Sequence, residues 1–115
     1  MAKLECSIKG NFHSFLSALD NAVLNGSVSA SYEDGSSFQC NGVFCAVRVY
    51  ERYSYFGKNR VSLNITLFGT EEDFVLSAVT AGGSQAVFFK INTVGEENFL
   101  DCVRDFVEQY QREHS

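Results

Sequence analysis

The sequence predicts an α+β two-layer sandwich, a curved antiparallel sheet of about six to seven strands packed against an N-terminal helix and a long C-terminal helix. Three observations predict it. Alternating apolar and polar residues fill the middle of the chain. Two stretches near its ends repeat apolar residues at three- and four-residue steps. The connections between strands are short, which favours antiparallel pairing of consecutive strands and puts both helices on one aliphatic face.

The elements follow in order. Leu4, Cys6 and Ile8 alternate with Lys3, Glu5, Ser7 and Lys9 as a half-buried strand, broken at Gly10-Asn11. In NFHSFLSALDNAVLNG, Phe12, Phe15, Leu16, Leu19 and Val23 form one face of a helix, with Asn11 as its N-cap and Gly26 at its C-terminal stop. Val28, Ala30 and Tyr32 predict a second strand, Glu33-Asp34-Gly35-Ser36 a turn, and SFQC a third strand. Asn41-Gly42 is a two-residue hairpin signal that pairs Cys40 with Val43, Gln39 with Phe44 and Phe38 with Cys45.

In VFCAVRVYERYSY, one face carries Val43, Cys45, Val47 and Val49, continuing into Glu51, Tyr53 and Tyr55. The other carries Phe44, Ala46, Arg48, Tyr50 and Arg52. In RVSLNITLF, Val61, Leu63, Ile65 and Leu67 oppose Arg60, Ser62, Asn64, Thr66 and Phe68. The two aliphatic faces must point the same way, because a one-residue slip would turn one of them to solvent. Paired residue numbers then have even sums, as in Val49 with Ile65 and Arg48 with Thr66, and the loop is odd, with Phe56-Gly57-Lys58 the simplest choice. Two more strands are expected at about Asp73–Ala81 and Gln85–Asn92. Thr93-Val94-Gly95-Glu96 fits a capping box before a helix striped by Phe99, Leu100, Cys102, Val103, Phe106, Val107 and Tyr110. The order β-α-β-β-β-β-β-β-α is that of a small helix-grip sheet wrapped on a terminal helix, an analogy of fold that does not carry function.

Composition narrows the function classes. A chain of 115 residues, 45% hydrophobic with 11 phenylalanines, predicts one domain over 1–115 with a core that needs no staples. A formal charge of -5 speaks against nucleic acid as a partner, because phosphate binding needs concentrated positive charge. No apolar run reaches the ~18 residues of a membrane span, so no membrane partner is expected. MAKLECSIKG lacks a signal-peptide core, which predicts a cytoplasmic protein. Cys6, Cys40, Cys45 and Cys102 lack Cys-x-x-Cys spacing and read as free, mostly buried thiols. Neither a metal nor a cofactor is expected.

CAVRVYERYSYFGKNRVSLNITLFG and TAGGSQAVFFKINTVGEENFL together resemble a family of small single-domain bacterial proteins of unknown function. The resemblance covers nearly the whole chain. It implies a bacterial cytoplasmic protein and carries over no catalytic residue.

Three places could hold chemistry. Gly82-Gly83-Ser84-Gln85 precedes VFFKI rather than a helix with a phosphate-binding lysine, so it reads first as a turn that could touch a ligand at a sheet edge. Arg48, Tyr50, Arg52, Arg60, Asn64 and Phe68 are placed on one outer sheet face. That face is either solvated, with arginines lying over aromatic rings, or an anion-binding or homodimer surface. Glu51 is the odd carboxylate: enclosed, it would be an acid or base candidate, but a place beyond the core or a pairing with an arginine is the ordinary alternative. The sequence therefore supports three readings. The first is a small-molecule binding module for an apolar or amphipathic ligand held between sheet and C-terminal helix, with Glu51, Tyr53, Tyr55 and Gly82–Gln85 at the mouth. The second is a homo-oligomeric interaction domain using the Arg/Tyr face, and the third is an enzyme without a recognisable motif.

Overall fold

A computed structural model describes residues 1–26, 29–54, 59–82 and 89–114. Among them the chain runs β1 (Ala2–Lys9), α1 (Phe12–Asn25), β2 (Ser31–Cys40), β3 (Val43–Ser54), β4 (Asn59–Gly69), β5 (Asp73–Gly82) and α2 (Phe89–His114). The five strands form one antiparallel sheet in the order β1-β5-β4-β3-β2, so β4 is central and β1 and β2 are the edges.

The hairpin between β2 and β3 is the expected one. Asn41 and Gly42 both have positive φ, 52° and 80°, which a two-residue primed turn requires. The pairs Cys40–Val43, Gln39–Phe44 and Phe38–Cys45 follow from it. In α1, Asn11 Oδ1 accepts from the Ser14 N–H at 2.9 Å as an N-cap, and Phe12, Phe15, Leu19 and Val23 are buried.

Five strands replace the six to seven expected, for two reasons. The turn expected at Glu33–Ser36 does not form. Those residues stay in β2, and the register shifts between Tyr32 and Asp34, so the bulge absorbs the turn-forming residues without ending the strand. At the other end, the strand expected over Gln85–Asn92 is helix wherever it is described, because α2 begins at Phe89. A short apolar run cannot be told from a buried helical segment by its period. The expected capping box at Thr93–Glu96 accordingly lies inside α2, where one isolated glycine costs only about 1 kcal/mol.

The register of β3 on β4 also departs from expectation. Pairs such as Val49–Asn64, Tyr50–Leu63 and Ala46–Leu67 have odd sums, and Ser54 pairs with Asn59. The expected loop Phe56-Gly57-Lys58 lies outside the described residues, but an odd loop is incompatible with this pairing. The face of β3 carrying Ala46 and Tyr50 therefore joins Val61, Leu63, Ile65 and Leu67 of β4 and Leu76 and Ala78 of β5 in the core. Both helices cover this face. Phe12 and Phe15 of α1 pack on Phe74, and Phe99, Leu100 and Val103 of α2 are fully buried. Val43, Cys45, Val47 and Val49 face the opposite way.

Candidate functional site

Among the described residues, no element covers the face of the sheet away from the helices. Its side chains lie in lateral rows, because cross-strand partners in an antiparallel sheet share a side. One row runs Phe38, Cys45, Phe68, Val75 and Ser7 across all five strands. Phe38 is 64% exposed, Phe68 50% and Val75 47%, so three large apolar side chains in one row meet water. Val47 and Val49, half-buried, continue the apolar surface along β3. A shallow groove beside the row, of about 380 Å³, is lined by Ser7, Thr66, Phe68 and Val75 among others. Exposed apolar groups scattered singly are ordinary, and here three lie in one row.

The surface was legible in part. Strand β3 is apolar at both parities, with Val43, Cys45, Val47 and Val49 on one side and Phe44, Ala46 and Tyr50 on the other. Near-continuous apolarity is the signature of a strand covered on both faces. The even-sum register read the same residues as one core face.

The six residues expected on one Arg/Tyr face are divided between two. Arg60, Asn64 and Phe68 are on the open face, while Arg48, Tyr50 and Arg52 point to the helix side because of the odd-sum register. Tyr50 is wholly buried and its hydroxyl donates to Asp20 Oδ1 at 2.6 Å. Burial, then the hydrogen bond and charge of Asp20, push its phenol well above the ordinary range, against a smaller opposing pull from Arg48. Arg48 donates to the carbonyls of Ser36 and Val47 and to Ser37 Oγ, which fastens β2 to β3. Arg52 lies over the Phe99 ring at 4.8 Å, joining β3 to α2.

Of the residues expected at a pocket mouth, the two described on β3 lie on the side of the sheet away from α2. Glu51 and Tyr53 are on the open face, and Glu51 accepts from Arg60 at 2.7 Å, one of the alternatives the sequence left open. Gly82 ends β5, and its N–H donates to Glu96 Oε2 at 3.0 Å. Tyr55, Gly83, Ser84 and Gln85 lie outside the described residues. The next described element after Gly82 is α2. Sequence reasoning missed Glu96 as a tie between β5 and α2. Glu96 is only 5% exposed and also pairs with the amino group of Met1 at 3.1 Å. Nothing local in the sequence marks it, since its partners are distant along the chain.

The four thiols are free, but they are not mostly buried: Cys40 is exposed and Cys6, Cys45 and Cys102 are half-buried. Burial pushes the Cys6 and Cys102 thiols up, the latter against a pull from Arg52, which leaves both protonated and poorly nucleophilic at neutral pH.

With these positions in view, comparison with known proteins gives one match. The model of a family of unknown function, DUF6054, matches residues 1–111. The chain belongs to this family. No curated protein and no solved structure matches it. Family membership covers the whole sheet and nearly all of α2, and it assigns no chemistry to any residue. Among the described residues, no helix is long and apolar enough to cross a membrane.

Proposed function

We propose that this protein is a homo-oligomeric interaction module whose working surface is the open face of its sheet. The observation that carries the reading is the lateral row Phe38, Cys45, Phe68 and Val75, with exposed apolar side chains on β2, β4 and β5. Taking a phenylalanine or valine fully out of water is worth about 1.5–3 kcal/mol. Covering half-exposed ones recovers a useful fraction of that for each, and a second copy would supply the same row again.

The small-molecule reading has less support. The helix-grip analogy favours a ligand under the terminal helix. That space holds Tyr50, Leu63, Phe99, Leu100 and Val103, each at 0% exposure. Glu51 and Tyr53 sit on the other side of the sheet.

Sedimentation velocity over a wide dilution range tests the proposal. The wild type is expected to move between the mass of the 12.8 kDa chain and a multiple of it. Phe68→Asp is expected to stay at the single-chain mass with unchanged circular dichroism and melting temperature. A wild type that remains a single chain at the highest concentration reached would overturn the reading.

A further inference from the structure

We infer that the assembly is a closed face-to-face dimer with its two-fold axis running along β4. This inference rests on the interaction reading above and names the partner as one second copy in one orientation. Because β4 is central, rotating a second copy about β4 lays β1 over the other copy's β2, and β5 over its β3. Rows are preserved by this rotation, so each row meets itself in reverse.

The chemistry of the rows then matches. In the apolar row, Phe68 meets its own copy, Val75 meets Cys45, and the exposed Phe38 comes over Ser7. That position is the groove lined by Ser7, Phe68 and Val75, so the protruding ring of one copy has a recess on the other. In the row Asp34, Val49, Asn64, Val79 and Lys3, valine meets valine and Asn64 meets Asn64. Lys3, whose exposed ammonium lies 3.7 Å from Glu5 on its own chain, meets Asp34, twice by symmetry. Arg60 also approaches its own copy, but each Arg60 is already paired with Glu51 on its own chain.

The other in-plane axis, perpendicular to the strands, fits worse. Centred on the row of Thr66, it sets Glu5 on Glu5, Phe68 on Asn64 and Phe38 on Asp34, and it leaves the groove empty.

The dimensions are adequate. Five strands spaced ~4.8 Å apart, paired over about eight residues rising ~3.3 Å each, offer roughly 600 Å² per copy. The longer β3 and β4 add to this, so two copies reach the lower end of the ~1,200–2,000 Å² of stable interfaces. Facing sheets keep their strands within about 30° of each other. The edge rows are therefore offset by about one to two residues, which the long stem of Lys3 spans.

The test is zero-length carbodiimide cross-linking of the full chain, followed by peptide mass spectrometry and read beside sedimentation. Lys3 and Asp34 lie on opposite edges of one sheet, about 19 Å apart at the usual strand spacing, so a direct amide between them can form only between copies. The expected result is a two-copy mass carrying a Lys3–Asp34 cross-link. Lys3→Glu is expected to weaken the dimer roughly tenfold, and Lys3→Glu with Asp34→Lys to restore it. A dimer without that cross-link, or one indifferent to the charge reversal, would overturn this arrangement while leaving the interaction reading in place. A ladder of larger species joined through Lys3 and Asp34 would mean edge-to-edge pairing and would overturn it too. A single-chain mass at all concentrations would overturn both.

Discussion

Tyr50 is a fully buried phenol that donates to the half-buried carboxylate of Asp20. A hydrogen bond to a charged acceptor is worth about 1.5–3 kcal/mol, so Tyr50→Phe is expected to lower unfolding free energy by about that amount in urea titrations. Its pH dependence has a definite sign. The folded state holds the phenol above the ordinary value of about 10, so above that pH the unfolded chain releases a proton that the folded chain retains. The stability contributed is complete below pH ~10 and falls as pH rises through the alkaline range. Tyr50→Phe is expected to flatten that fall, measured as melting temperature against pH. At this scale the sequence was ambiguous for a physical reason. Tyrosine has an apolar body and a polar tip, so the same residue suits an outer face or a core with a partner waiting, and Asp20 lies on a different element.

Elements were more legible where the local chain decides the outcome. Asn41-Gly42 sets its hairpin by φ alone, and the apolar stripe of α1 needs only its own spacing. Gly69, at the end of β4, was not noticed. Its φ of 150° disfavours a side chain, and a Cβ would come within 2.4 Å of the Asp73 carbonyl and 2.6 Å of Phe74 Cα. Gly69→Ala is therefore expected to destabilise the β4–β5 connection by about 1–3 kcal/mol, seen as a lower denaturation midpoint with unchanged slope. The register of β3 on β4 was not legible because it is set by which face the helices cover. An even-sum register would follow only if an aliphatic face could not be turned outward. The start of α2 escaped because a short apolar run reads alike as strand or helix from its period.

For the whole molecule, the α+β class and the placement of both helices on one side follow from the order of periods in the sequence. Which apolar face of β3 the helices cover does not, because it depends on one parity choice in the centre of the sheet. The two edges also differ from the face. Strand β1 presents Lys3, Glu5 and Lys9, and β2 is kinked by its bulge, features that discourage open-ended pairing along the edge.

The pairing of β1 with β5 has a kinetic consequence. Strands β2 to β5 are joined to their neighbours in succession, but Ala2 must find Thr80 and Ile8 must find Phe74. Closing that long loop costs chain entropy before any contact rewards it. The four-strand meander is therefore expected to assemble first, with β1 seated last. Truncations at Ile8 should give φ-values below about 0.3, and truncations at Ile65 distinctly higher ones, in stopped-flow refolding. Mutations in β1 would then shorten the lifetime of the folded chain while hardly slowing its formation.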